Sequence, residues 1–156
     1  GAYRPGQIAS EDDDALLDML PANLFGASGL TRRVLPAMMA RRSGMVLNVC
    51  STASIAAYPN GGSYSIAKHA LHGFSRNLRE EMKPHGVRVV ALLPGATLTS
   101  SWDGVPLPEE RLMPADDVAE IAWTAWNMSS RTVVEDIVMR PQEGDISDAD
   151  FMDMPA

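Results

Sequence analysis

A parallel α/β sheet is the fold class this sequence predicts, and three observations predict it. Segments of helical periodicity alternate with short apolar runs in the order helix, strand, helix, strand, helix, strand. The apolar runs barely alternate with polar residues, as expected of strands covered on both faces. Small-residue loops follow the first two runs, on the edge where such sheets bind ligands, the carboxyl ends of their strands.

Ser10 to Asp14 reads as a capping residue and an acidic first turn, and Ala15 to Leu20 opens the apolar stripe of a helix. Pro21 breaks or kinks it. From Ala22 to about Arg41 apolar residues recur at helical spacing through Leu24, Ala27, Thr31, Val34, Leu35 and Met38, which makes a long helix interrupted near Asn23. Ser43 and Gly44 end it, and Met45 to Cys50 is the first strand. Ser51 to Gly62 is a loop, after which Ser63 caps a helix with Tyr64, Ala67, Leu71, Phe74, Leu78 and Met82 on one stripe. Pro84 and Gly86 stop that helix, and Val87 to Leu93 forms a second buried strand. An irregular, proline-rich stretch leads to a third helix that opens at Pro114, with Asp116 and Asp117 in its first turn and a core stripe of Val118, Ile121, Ala122 and Trp126. Thr132 to Met139 is the third strand, and 141–156 is an acidic tail carrying Phe151, Met152 and Met154.

Bulk properties narrow the function. The 156 residues are 46% hydrophobic and 21% charged, which suits one modest core. A net charge of -7 argues against a nucleic-acid surface or a basic membrane-binding face. The arginines at 32, 33, 41 and 42 read as a solvated helix end. A single cysteine excludes an internal disulfide framework and a metal cluster, which fits the cytoplasm, and no apolar stretch reaches membrane-spanning length. The opening residue, Gly1, is compatible with a processed product, an engineered one or an excised piece.

The chemistry concentrates at Tyr64-Ser-Ile-Ala-Lys68, with Ser51 thirteen residues upstream at a strand end. Four residues on a helix bring two side chains to nearly the same face, so the Lys68 ammonium lies beside the Tyr64 phenol. A nearby cation favours phenolate, and so the Tyr64 pKa is expected to fall toward the useful range of an acid and base. Ser51 can then hold a substrate oxygen, with Ser54 a weaker competitor. The plain alternatives are a helix-start aromatic packed on the sheet, a solvated lysine and a turn serine.

With Asn23, Leu35-Pro36, Gly44 to Ser51, Tyr64 to Lys68, Gly86-Val-Arg-Val and Pro94-Gly-Ala-Thr-Leu-Thr99 in this order and at these spacings, the sequence resembles the short-chain dehydrogenase/reductase family. The resemblance is detailed from Asn23 to Thr99 and looser to Pro141. It implies a Rossmann-like fold, of which 1–156 would be a single partial domain: the C-terminal part of a doubly wound parallel sheet, three strands alternating with long helices. Gly1-Ala-Tyr-Arg resembles the segment just after the family's fourth strand. The glycine-rich turn that binds the cofactor pyrophosphate is not in this sequence, so the chain alone is expected to be catalytically silent.

By that resemblance the chain belongs to an oxidoreductase that transfers a hydride between NAD or NADP and a small carbonyl compound or secondary alcohol. Tyr64 is the implied acid and base. Lys68 supports it and holds the nicotinamide ribose, Ser51 steadies the developing oxyanion, and Asn23 holds a water that links Lys68 to solvent. Pro94, Gly95, Thr97 and Thr99 close over the nicotinamide. Family members commonly pair their long helices, which implies a homodimer or homotetramer. Rival readings are an epimerase or dehydratase of the extended branch, and a non-catalytic dimerisation or interaction module. Tyr58, Trp102 and Val105 are candidates for the substrate pocket, Cys50 reads as a buried small hydrophobe, and His69, His72 and His85 as helix-surface or turn residues.

Overall fold

The computed structural model describes residues 1–147 and residue 150; Phe151, Met152 and Met154 of the acidic tail lie outside them. Three strands, β1 (Gly44–Val49), β2 (Val87–Pro94) and β3 (Asp136–Met139), form one sheet in the order β1-β2-β3. Both pairings are parallel, with Val46 opposite Val89 and Leu92 opposite Ile137. The central strand is the core: Val87 and Val89 to Leu93 are all buried, as the unbroken apolar run requires.

Two helices cover one face. α2 (Gly26–Ala40) and α3 (Gly62–Met82) send Leu35, Met38, Phe74, Leu78 and Met82 onto Val46, Val87 and Val89. Nearer the carboxyl ends, Leu24, Ala27, Leu71 and Phe74 meet Cys50, Ala91 and Leu93. Ahead of α2 the chain forms α1 (Ala15–Leu20) and then a π-helical turn, Pro21–Phe25, where the expected interruption falls. Pro21 supplies no N–H and its ring displaces the preceding carbonyl, so the wider turn absorbs the misfit. The helix begins later than the Ser10 reading placed it. Its flanking residue is Asp14, which makes no side-chain cap, and the Ser10 hydroxyl bonds the Gln7 carbonyl instead.

Four further expectations are corrected. β1 is not covered on both faces: Met45 and Leu47 are half-buried and Val49 is 52% exposed, because among the described residues no helix lies over that side of the edge strand. β3 begins at Asp136 and not Thr132, since the chain leaving α4 (Ala115–Asn127) is held against the first half of β2. There Arg88 donates to the carbonyls of Ala125, Trp126 and Met128 at 3.0–3.1 Å. Trp126 is exposed, with the Arg88 guanidinium 5.9 Å from its ring; one residue earlier, Ala125 takes the buried place on the stripe. His72 is no surface residue. It is buried on α3 and its Nε2 lies 3.1 Å from Asp136 Oδ1, joining the helix to β3 across the sheet.

Candidate active site

Ser51 sits just past β1 with an extended backbone, φ -167° and ψ 161°. Its Oγ accepts the Ala53 N–H at 3.1 Å while its own N–H donates to Ser54 Oγ at 3.1 Å, a reciprocal cap on the short turn Thr52–Ser54. Ser54 is thereby spent on fixing Ser51. The Ser51 O–H remains free to donate, and Ser51 shares the cleft with the Tyr64 phenol.

Tyr64 occupies the first turn of α3, whose start is held from a distance. Helix α3 is not capped by Ser63, as the sequence suggested; both Glu11 oxygens accept the Ser63 N–H, at 3.0 and 3.1 Å, and one also accepts the Ser63 hydroxyl at 2.7 Å. A carboxylate at this end also meets the positive pole of the helix. The clasp draws the opening segment over the site, so that the Tyr3 ring stands edge-on to Tyr64, 4.9 Å between centroids and 85° between planes.

The Ser63 bonds hold Glu11 below the usual carboxylate range, with a smaller contribution from Arg4. Folded Glu11 therefore keeps its charge to lower pH than an unfolded glutamate. Its contribution to stability is complete above the ordinary carboxylate range and is lost as pH falls through the depressed value. Glu11→Gln should melt earlier than the parent at pH 7, and the two melting curves should converge as pH falls through the depressed Glu11 value. A constant gap across that range, in thermal unfolding followed by circular dichroism, would show that the charge is not what holds the helix start.

One turn on, Lys68 is 6% exposed and its Nζ lies 5.8 Å from the Tyr64 ring centroid. Nζ donates to the Val49 carbonyl at 3.0 Å, which leaves two of its three N–H groups for the cleft. The expected lowering of the Tyr64 pKa is not what this environment produces. Burial raises the phenol above its ordinary value, with Ser51 opposing the rise and Tyr3 and Cys50 adding to it. Burial likewise lowers Lys68. The ammonium is turned toward Val49, so desolvation outweighs its pull on the phenol. Cys50 behaves as a buried thiol, pushed up to about 11 by desolvation.

Asn23 lies in the π-helical turn and is 2% exposed. Its Nδ2 donates to the Ala2 and Met19 carbonyls at 2.8 and 3.0 Å, and its Oδ1 has no partner among the described residues. Gly1 separates this atom from Lys68: a Cβ there would stand 2.4 Å from Asn23 Oδ1 and 3.4 Å from Nζ. The opposite wall follows β2. Gly95 donates its N–H to Met139 O at 2.8 Å, Thr97 Oγ1 donates to Gly95 O at 3.0 Å, and Thr99 Oγ1 accepts from Ser101 N at 3.4 Å.

A cleft of about 460 Å³ brings together Asn23, Ser51, Tyr64, Lys68, Pro94, Gly95, Thr97 and Thr99. Tyr58 and Trp102 also line it; Val105 and Ser54 do not. The sequence reading missed Tyr3, Asp145 and Ile146 on the cleft and Glu11 behind it. None of these has a local signature, since each reaches the site through a long-range contact.

The family model for short chain dehydrogenases matches residues 1–109. Sepiapterin reductase of Chlorobaculum tepidum is 31% identical over 149 residues, covering 95% of this chain and 61% of that protein. Among solved structures, a 3-oxoacyl-[acyl-carrier protein] reductase from Brucella melitensis is 26% identical with a TM-score of 0.75, over 87% of this chain and 57% of that one. An alcohol dehydrogenase from Thermococcus sibiricus complexed with 5-hydroxy-NADP is 22% identical and has the same fold, TM-score 0.83, over 94% and 62% of the two chains. The chain thus spans about three fifths of the length of these proteins.

Proposed function

Because the chain belongs to the short-chain dehydrogenase/reductase family, we propose that it carries the proton-transfer side of a hydride exchange between NAD or NADP and a small carbonyl compound or secondary alcohol. The observation that supports this reading is the convergence of Ser51, Tyr64 and Lys68 on one wall of a cleft whose other wall is Pro94 to Thr99. Within this reading, 1–156 is a single partial domain of a Rossmann-like fold and works in the cytoplasm. Among the described residues no helix is long and apolar enough to cross a membrane.

The residues present fit one end of a nicotinamide nucleotide. Lys68 offers two uncommitted N–H groups beside the Tyr64 phenol, a donor set suited to the paired hydroxyls of a ribose. Pro94, Gly95, Thr97 and Thr99 would flank the nicotinamide. When bound, the nucleotide supplies or accepts the hydride.

The remaining work falls to this chain. Ser51 donates to the substrate oxygen and fixes its position, and the same bond strengthens as that oxygen gains charge. Tyr64, with its pKa raised, holds its proton at neutral pH and delivers it from Oη to the carbonyl oxygen, which suits the reductive direction. Lys68 restores the proton of the phenol, and Asn23, which lines the same cleft, holds a water that links Lys68 to solvent, as the family resemblance implies.

The direct test is an assay of the natural gene product with NADH and NADPH against a panel of ketones, aldehydes and secondary alcohols. Nucleotide-dependent turnover of at least one class is expected, and none across the panel would refute the reading. Ile66 on α3 and Phe25 just before α2 are exposed. This reading assigns them to a homodimer or homotetramer contact. Sedimentation of the gene product at micromolar concentration should give at least twice the protomer mass; a monomer would count against the contact.

A further inference from the structure

The segment that follows β3 turns back to the cleft and brings Asp145 and Ile146 into its lining. We propose that Arg111, which does not itself line the cleft, is the positioning residue that seats this segment as a wall for the carbonyl substrate. The inference rests on the hydride-transfer reading and adds to it the residue that governs how tightly that substrate is held.

Arg111 closes the one-turn helix Glu109–Arg111 in the irregular stretch between β2 and α4. Its side chain is 10% exposed and donates in three directions. Nη1 reaches the Gly144 carbonyl at 3.0 Å, Nη2 the Asp145 carbonyl at 3.1 Å, and Nε the Asp150 carboxylate. Asp150 in turn accepts the Ser147 N–H at 2.7 Å and the Ser147 hydroxyl at 3.1 Å. One planar fork thus holds two consecutive carbonyls directly and, through Asp150, the chain just beyond them. Glu143 adds a looser contact, 3.6 Å from Nε.

The anchor is rooted in the Pro94 to Thr99 wall. Two residues past Arg111, Met113 donates its N–H to Ala96 O at 3.0 Å and accepts the Leu98 N–H at 2.8 Å, so that it brackets Thr97. Leu112 and Met113 are buried, which fixes the base from which Arg111 extends. The two stretches meet again at Asp145. Arg140 Nε donates to its Oδ2 at 2.9 Å, and Oδ1 faces Gly95, where an added Cβ would stand 3.2 Å away.

Ser51 takes its place from the end of β1, and Tyr64 and Lys68 from α3, so loosening 144–147 leaves the reacting groups where they are. What is lost is a surface that meets the substrate equally before and during reaction. Removing such uniform binding raises KM and leaves kcat unchanged.

The test compares the natural gene product with its Arg111→Ala and Arg111→Lys variants on the carbonyl substrate that the panel identifies. Arg111→Ala should raise KM for the carbonyl roughly tenfold, while kcat and the KM for nucleotide stay within about a factor of two. Arg111→Lys should fall between, because a compact ammonium cannot span two carbonyls and a carboxylate as a planar fork does. Amide hydrogen exchange in Arg111→Ala should quicken at Gly144 and Ser147 and stay unchanged at Gly95, whose N–H is held by Met139. The proposal is overturned if KM for the carbonyl does not rise, if kcat and both KM values change together, if Gly144 and Ser147 exchange as in the parent, or if both variants fail to fold. A parent that turns over nothing on the panel would refute the hydride-transfer reading, and exchange alone would then decide: quickening confined to Gly144 and Ser147 keeps Arg111 as the anchor of this wall, and unchanged exchange removes it.

Discussion

Tyr64→Phe is expected to lower kcat of the natural gene product by roughly 10²–10⁴-fold, the range that one positioned proton donor contributes. Phenylalanine keeps the ring and its edge contact with Tyr3, so helix content and melting temperature should change little. Nucleotide affinity should be nearly unchanged, since Lys68 stays anchored to Val49. The pH profile offers a second reading. Burial keeps the parent phenol protonated beyond its ordinary value, so reduction should hold steady through neutral pH and decline only on the alkaline side. Near-parental turnover in the variant would remove Tyr64 from the proton-transfer step.

The second large effect is a complete one: the 156-residue chain on its own should show no saturable binding of NADH or NADPH and no hydride transfer. The residues described fit the nicotinamide end of the nucleotide, but the pyrophosphate needs backbone N–H groups at a helix start. Beside this cleft, among the described residues, that position belongs to α3, and Glu11 already fills it with a carboxylate. A dianionic pyrophosphate would have to displace a charge of its own sign held by two kinds of hydrogen bond. Titration followed by nucleotide fluorescence decides the matter. Micromolar saturation with turnover would show that the chain needs no further cradle.

What the sequence discloses here divides along lines of distance. The helices and strands were legible because their signals are local: the stripe of Ala67, Leu71 and Leu78 on α3, the unbroken run Val89 to Leu93, and the proline that disturbs the chain at Pro21. The placement of Ser51, Tyr64 and Lys68 on one cleft was legible because strand ends and helix starts of a parallel sheet share an edge. The direction of the Tyr64 shift was not. A four-residue spacing places Lys68 near the ring but says nothing of the Val49 carbonyl that turns the ammonium away. Trp126 was misplaced by a single step of the helix, about 100°, because the stripe through Ala125 is as regular as the one through Trp126. His72 failed for a related reason: its partner, Asp136, lies 64 residues on.

The Glu11 clasp also orders events in time. Helix α3 is built from contacts within its own sequence, and such a segment forms in about a microsecond. The contact that seats its first turn joins residues 52 positions apart, and closing that loop must wait for the intervening helix and strand to fold into a compact sheet. Refolding followed by helical circular dichroism should therefore run ahead of refolding followed by Tyr3 and Tyr64 fluorescence. Coincident traces would mean that the clasp closes with the helix. Tyr64 would thus belong to an early helix and acquire its surroundings late, a sequence of events set by where along the chain its supports were placed.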